Sequence, residues 1–161
     1  MDFPLVNKNS KIVVAMSGGV DSSTVAALLK SYGFNNLVGI TLRLYDNDEA
    51  KGISCKDTTF KHDAENVAAK IGIEHKVLDL RERFYDLVIN PFINSYLEGN
   101  TPSPCTTCNR EIKFGALLEE AKKLNAEILV TGHYIKWELN NGLPVICMNQ
   151  ESIRDQSYFL A

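Results

Sequence analysis

The string Ser17-Gly18-Gly19-Val20-Asp21-Ser22-Ser23 joins a short apolar run to an amphipathic one, and no other feature narrows the possible folds so far. Lys11 to Met16 (KIVVAM) is apolar and β-branched, the pattern of a buried strand. Beyond the glycines, STVAALLKSYG places Val25, Leu28, Leu29 and Tyr32 at helical spacing, and Gly33 stands where that helix would end. Adjacent glycines let the backbone turn tightly and approach an anion with no Cβ in the way. The first turn of the following helix offers unpaired N–H groups and a partial positive charge. Ser17, Ser22 and Ser23 add hydroxyls. Two uses stay open at this point: a phosphate cradle, or a glycine turn whose Ser and Asp side chains cap the helix. Neither GxGxxG spacing nor Gly-Lys-Ser/Thr is present.

Further along, Leu37 to Leu44 forms a second strand candidate, and Asp46 to Lys61 is polar and turn-rich, the pattern of a loop. Asp63 to Gly72 is expected to be helical, His75 to Leu80 a third strand, and Arg81 to Leu97 helical with an interruption near Pro91. Pro102 and Pro104 punctuate a loop before an amphipathic helix over Arg110 to Leu124. Glu127 to Thr131 is a fourth strand that runs into Gly132-His133-Tyr134, and Asn140-Asn141-Gly142 sets up a hairpin. Strands alternating with helices predict a mostly parallel sheet covered on both faces, a doubly wound α/β fold. Ligands in such folds sit at the carboxyl ends of strands near a topological switch point. The two loops at such ends are SGGVDSS and GHY.

Composition sets outer bounds. The 161 residues carry 20 acidic and 17 basic side chains, a net charge of -3, with 45% hydrophobic and 23% charged residues. This excludes disordered and fibrous classes and supports one core. No apolar run approaches the ~18 residues that span a bilayer, and MDFPLVNKNSK lacks the apolar core of a secretory signal. No membrane association is expected. Four cysteines without an export signal point to a reducing, cytoplasmic setting. No basic stripe stands out to mark nucleic acid.

Thr101 to Phe114 reads TPSPCTTCNREIKF. Its Cys-x-x-Cys could serve half a zinc site, a redox pair, or a nucleophile with a neighbour. Cys55, Cys147, His62 and His75 are scattered and supply no second pair, so no metal site is expected. A thioredoxin-like motif would open a helix straight after a strand, and here a proline-rich stretch precedes it. Cys108 falls at the expected start of the helix near Asn109 or Arg110. The helix dipole, Arg110 and Lys113 are therefore expected to lower its pKa and make it the better nucleophile.

SGGVDSS is similar to the pyrophosphatase loop of the ATP-pyrophosphatase (PP-loop) superfamily, whose Rossmann-like fold is that of the adenine nucleotide alpha hydrolases. The resemblance implies ATP and Mg²⁺, with Ala15, Met16, Ser17, Gly18, Gly19, Val20, Asp21 and Ser22 forming the cradle and Asp21 placing metal and phosphates. A narrower resemblance adds TP-x-P-x-x-x-CN-x-x-IKF, GHY and the terminal DQSYFL, which together resemble the tRNA-specific 2-thiouridylases (MnmA family) from about Lys11 to Leu160. It implies ATP-dependent 2-thiolation of the wobble uridine in tRNAs for Lys, Glu and Gln, through adenylation of the C2 oxygen and sulfur transfer from a cysteine persulfide. A persulfide-donating sulfur carrier protein is the implied partner beside tRNA. By motif position Cys108 matches the loop nucleophile, and Ser103, Pro104 and Cys105 match the triplet touching the target base. Leu42 and Gly132 match nucleotide contacts, and His133, Arg154, Asp155 and Gln156 match tRNA contacts. Leu42 would be buried in any such sheet, and Arg154 alone would pass for a solvated charge.

Two departures from the family pattern bear on mechanism. Cys105 stands where many members carry Asp, which weakens a general-acid role at that position. The cysteine pair could instead share a disulfide, relay sulfur, or ligate a four-iron four-sulfur cluster as in cluster-dependent tRNA thiolases. The family's second catalytic cysteine, central domain and C-terminal barrel lie downstream of DQSYFL. Residues 1–161 are therefore expected to form the PP-loop nucleotide-binding domain, inactive by itself in sulfur transfer. Other PP-loop synthetases share the first loop but lack CNREIKF and DQSYFL, and a binding module without turnover is the alternative from outside enzymes.

Overall fold

Ile12 and Val14 turn to one face of a sheet and Val13 to the other, and all three are buried. A strand apolar on both faces belongs in the middle of a covered parallel sheet. The structure is a computed structural model that describes residues 7–45, 58–150 and 152–160. Its elements in chain order are β1 (Ile12–Ala15), α1 (Val20–Ser31), β2 (Leu37–Arg43), α2 (Thr58–Ile71), β3 (Glu74–Asp79), α3 (Arg81–Phe84) and α4 (Asn90–Leu97). Then follow α5 (Pro104–Cys108), α6 (Leu117–Lys123), β4 (Ile128–Val130), β5 (Lys136–Asn140), β6 (Leu143–Cys147) and a 3-10 turn over Ser157–Leu160. The main sheet has the order β3-β2-β1-β4 with every pairing parallel. In register, Ile12 lies between Leu37 and Ile128.

Ala26 and Leu29 of α1, with Ala64 and Ala68 of α2, close over Ile12, Val14 and Met16. On the opposite face Leu117 and Ala121 of α6 close over Val13, Val38 and Ile40. Burying each of the larger aliphatic side chains contributes about 1.5–3 kcal/mol relative to exposure. The doubly wound α/β fold is therefore the observed one. The strand order reverses between β1 and β4, so the loops after those two strands flank the switch point.

Three elements differ from expectation. Pro104 opens α5 instead of holding a loop: in a helix's first turn the missing N–H is not needed. α5 then runs through a π-helical stretch, Asn109–Ala116, into α6, so the helix begins well before Arg110. A second π-helical turn, Tyr85–Ile89, precedes Pro91 and keeps α3 and α4 in one helical path where an interruption was expected. α2 begins at Thr58, not Asp63, while residues 46–57 of the expected loop, Cys55 included, lie outside the described residues. The hairpin does form: Asn141 (φ 52°) and Gly142 (φ 81°) turn β5 into β6.

A buried polar chain fixes the end of β1. The Thr41 hydroxyl donates to the Met16 carbonyl at 2.7 Å and stands 2.8 Å from His75 Nε2. With its one proton on Met16, Thr41 accepts from a neutral His75. Burial pushes the His75 pKa down, and Glu65 offsets this only in part. Stability linked to burying a neutral His75 is thus present above the ordinary histidine value of about 6.5 and is lost as pH falls through the depressed folded value. The melting temperature should fall between pH 7 and pH 5, and His75→Gln, which retains a donor, should remove part of that slope. An identical slope in the variant would contradict the assignment.

Candidate active site at the carboxyl edge of the sheet

The chain leaves β1 through Met16 and turns at Gly18, whose φ of 83° suits glycine far better than any other residue. Ser17 and Ser22 bond each other: Ser17 N–H donates to Ser22 Oγ at 3.2 Å, the two hydroxyls stand 3.2 Å apart, and Gly19 N–H donates to Ser17 Oγ at 3.4 Å. Gly19 is the N-cap of α1, and no side chain caps the helix. The helix-capping use left open by the sequence is therefore not the one adopted. Ser23 Oγ is enclosed at the same turn without a hydrogen-bond partner. An uncapped first turn, a glycine bend and an orphaned hydroxyl fit a phosphate-bearing ligand. Beside them Asp21 is the acidic residue of the first turn of α1, suited to a cation that accompanies phosphate.

The loop after β4 closes on this cradle. A Cβ on Gly132 would lie 2.9 Å from Ser22 N and 3.1 Å from Asp21 C, so only glycine lets the two loops touch. Next along, Thr131 Oγ1 stands 2.9 Å from His133 Nδ1, and burial, with Lys113 adding, pushes the His133 pKa down. Tyr134 reaches back over α1, its hydroxyl donating to Asp21 Oδ1 at 2.6 Å. Gln156 meets Tyr134 twice, its Oε1 accepting from Tyr134 N–H at 2.9 Å and its N–H donating to the Tyr134 carbonyl at 2.9 Å. The Arg154 guanidinium carbon lies 5.9 Å from the Tyr134 ring centroid. Asp155 accepts from Asn149 N–H at 3.0 Å, from Ser157 N–H at 3.1 Å and from the Ser157 hydroxyl, bonds that hold its carboxyl below the usual range. A shallow cleft of about 190 Å³ lies between His133, Tyr134, Asn149 and Asp155.

The cysteine helix is the third component. Ser103 is its N-cap, with its hydroxyl 3.0 Å from Thr106 Oγ1, and Cys105 is exposed in the first turn. Cys108 falls in the second turn, away from the helix start, which removes the expected dipole effect. Burial pushes its thiol pKa up, Lys113 pulls the other way, and Cys105 adds to the rise. The expected activated thiolate is thus replaced by a resting thiol. Both cysteines are free. Among the described residues no three His, Cys, Asp or Glu side chains gather as a metal site, so an iron–sulfur cluster would need ligands beyond these two thiols. Asn109, next in line, is buried, donates through Nδ2 to the Phe159 carbonyl and holds Oδ1 without a partner. The Phe114 and His133 rings lie 6.1 Å apart.

Gly132, Ser22, Asp21, His133, Arg154 and Gln156 therefore gather at one edge, and the cysteine helix meets them through the Phe114–His133 ring pair, while the Lys113 charge acts on both Cys108 and His133. Leu42 stands one strand over, half-buried near Leu78 on the α6 face. Asn109 and Tyr134 carry contacts that sequence reasoning did not assign, although each lies inside a motif, CN and GHY; Lys113 acts on Cys108 in the expected direction but is outweighed by burial.

A parallel sheet of this order with a glycine–serine loop after its first strand defines a PP-loop, adenine nucleotide alpha hydrolase-like domain. Residues 10–161 match the family described as tRNA methyl transferase HUP domain, and the chain belongs to that family. It is 52% identical to the tRNA-specific 2-thiouridylase MnmA of Bradyrhizobium diazoefficiens over 157 residues, 95% of this chain and 39% of the relative. With the protein of the same name from Brucella canis it shares 46% over 162 residues, 99% of this chain and 40% of the relative. The chain thus spans about two-fifths of these relatives. Among solved structures, the U34-tRNA thiolase NcsA from Methanococcus maripaludis, described with its four-iron four-sulfur cluster, superposes with a TM-score of 0.58 at 23% identity, covering 82% of this chain and 41% of that one. The NH3-dependent NAD synthetase from Campylobacter jejuni gives a TM-score of 0.50 at 18% identity, covering 79% and 49%. Both likenesses concern the fold. Among the described residues no helix is long and apolar enough to cross a membrane.

If Lys113 is the main counterweight to burial at Cys108, Lys113→Met should raise the thiol pKa further. Alkylation of the Cys108 peptide by iodoacetamide at pH 8, followed by mass spectrometry, should slow by roughly 3- to 10-fold. An unchanged or faster rate would contradict this electrostatic account.

Proposed function

We propose that residues 1–161 form the nucleotide-binding catalytic domain of a cytoplasmic enzyme that replaces the C2 oxygen of the wobble uridine of tRNA with sulfur. The observation that carries this reading is the meeting of four distant segments at one edge. Tyr134 joins Asp21, the Phe114 ring lies beside His133, and Asn109 joins Phe159. Such an arrangement suits a reaction that must bring a nucleoside triphosphate, a base and a thiol together. The relatives named as 2-thiouridylases support the substrate class.

In this reading the 15–22 cradle and Gly132 hold the ATP phosphates, Asp21 orients the magnesium that accompanies them, and Leu42 lies against the adenine. Ser103, Pro104 and Cys105 receive the target base. The uridine C2 oxygen attacks the α-phosphorus and pyrophosphate leaves. Sulfur carried as a cysteine persulfide, supplied by a sulfur carrier protein, then attacks C2, and AMP departs with the former oxygen. Cys108, held protonated at rest by its raised pKa, loses that proton to solvent once substrate is bound, and its thiolate attacks the carrier-bound sulfur of the persulfide adduct: the S–S bond breaks, the outer sulfur stays on C2, and Cys108 is left in a disulfide with the carrier cysteine. His133, neutral near pH 7, and Arg154, Asp155 and Gln156 face the tRNA. The net charge of -3 leaves most phosphate contacts to the family's central and C-terminal domains. A four-iron four-sulfur cluster on Cys105 and Cys108 would need at least one further ligand, which the described residues do not bring to them.

Pyrophosphate exchange separates the two stages. With magnesium, ATP and an unmodified tRNA for Lys, Glu or Gln, the chain should return labelled pyrophosphate to ATP. Asp21→Asn should slow this by about 10²-fold or more, while Cys108→Ser should leave it intact and, in an enzyme that also carries the family's downstream cysteine and domains, block thiolation once a persulfide donor is supplied. Binding of ATP and tRNA without exchange would reduce the chain to a binding module. Thiolation by Cys108→Ser would remove the assigned nucleophile.

A further inference from the structure

Tyr134 makes more connections between the site's parts than any residue assigned above. Its hydroxyl donates to Asp21 Oδ1 at 2.6 Å, its backbone is bonded twice to Gln156, and its ring lies under the Arg154 guanidinium. The phenol engages one oxygen of Asp21 and leaves Oδ2 for a cation. A bond of this length to a carboxylate is charge-assisted, and it restricts a side chain that would otherwise rotate freely on an exposed helix turn. Partners of this kind behind a metal-binding carboxylate typically set affinity by 10- to 100-fold.

We propose that Tyr134 is a positioning residue that aims Asp21 at magnesium–ATP and couples that aim to RNA bound on the 154–156 segment. The inference rests on the function proposed above. Arg154 and Gln156 hold the ring and the backbone of the residue whose hydroxyl holds Asp21, so RNA that orders this segment also orders the carboxylate. Linkage then runs both ways: RNA tightens magnesium–ATP, and magnesium–ATP tightens RNA by the same factor. No change of fold is needed, because the two bonds to Gln156 and the bond to Asp21 already connect the segments.

The test is calorimetric titration of ATP into the chain across a series of MgCl2 concentrations, with and without an anticodon stem–loop RNA containing the wobble uridine. Tyr134→Phe removes only the hydroxyl and keeps the ring under Arg154, so the unliganded melting temperature should hold. The magnesium needed for half-maximal ATP binding should rise roughly 10-fold, and the RNA-induced tightening seen in the native chain should vanish. A variant with the native magnesium dependence and native coupling would overturn the role of Tyr134 while leaving the proposed function in place. A lowered melting temperature with unchanged magnesium dependence would overturn it as well, by showing a merely structural role. Failure of the native chain to bind magnesium–ATP would overturn both the inference and the function on which it rests.

Discussion

The contact between Gly132 and the first turn of α1 governs everything built at the edge of this sheet. β1 and β4 are neighbours, so the loops leaving them must share a small volume above the strand ends. They share it because residue 132 has no Cβ: an added carbon would meet the backbone of Ser22 at 2.9 Å, where nothing flexible can yield. Forcing a methyl into such a place costs on the order of 1–3 kcal/mol and moves His133 and Tyr134 away from their partners. The cradle, the histidine and the tyrosine thus form one unit held by backbone proximity.

Electrostatics divides this unit in two. Around α1 the helix start is uncapped and Asp21 stands ready beside it, an environment that favours phosphate with a cation. Around the cysteine helix, burial dominates: the Cys108 thiol is pushed up and His133 is pushed down. Both groups are therefore neutral near pH 7: Lys113 reinforces this at His133 and opposes it, without prevailing, at Cys108. A protonated thiol is slow to oxidise or alkylate, so burial protects Cys108 at rest. The π-helical stretch directly after Cys108 belongs to the same design, since such widened turns recur at functional sites.

The fold was readable because its signals are local. Ile12, Val13 and Val14 are apolar in sequence and buried on both faces, and Val25 and Leu29 already marked the inner side of α1. The environment of Cys108 was not readable, for a local reason of another kind. Pro104 breaks a helix at most positions but starts one in the first turn. Shifting the helix start from Asn109 to Pro104 moved the dipole to Cys105 and left Cys108 to the effect of burial. Tyr134 and Asn109 were hidden by distance along the chain. The Tyr134–Asp21 bond spans 113 positions and the Asn109–Phe159 bond 50, and no periodicity reports such pairs.

That the loops after β1 and β4 form one nucleotide site is the claim on which the rest depends. Amide hydrogen exchange on adding magnesium–ATP addresses it directly. Residues 16–23 and 131–134 should become protected together at the same ligand concentration, with the edge strand β3 unchanged. Protection of one loop without the other, or of neither, would contradict the shared site.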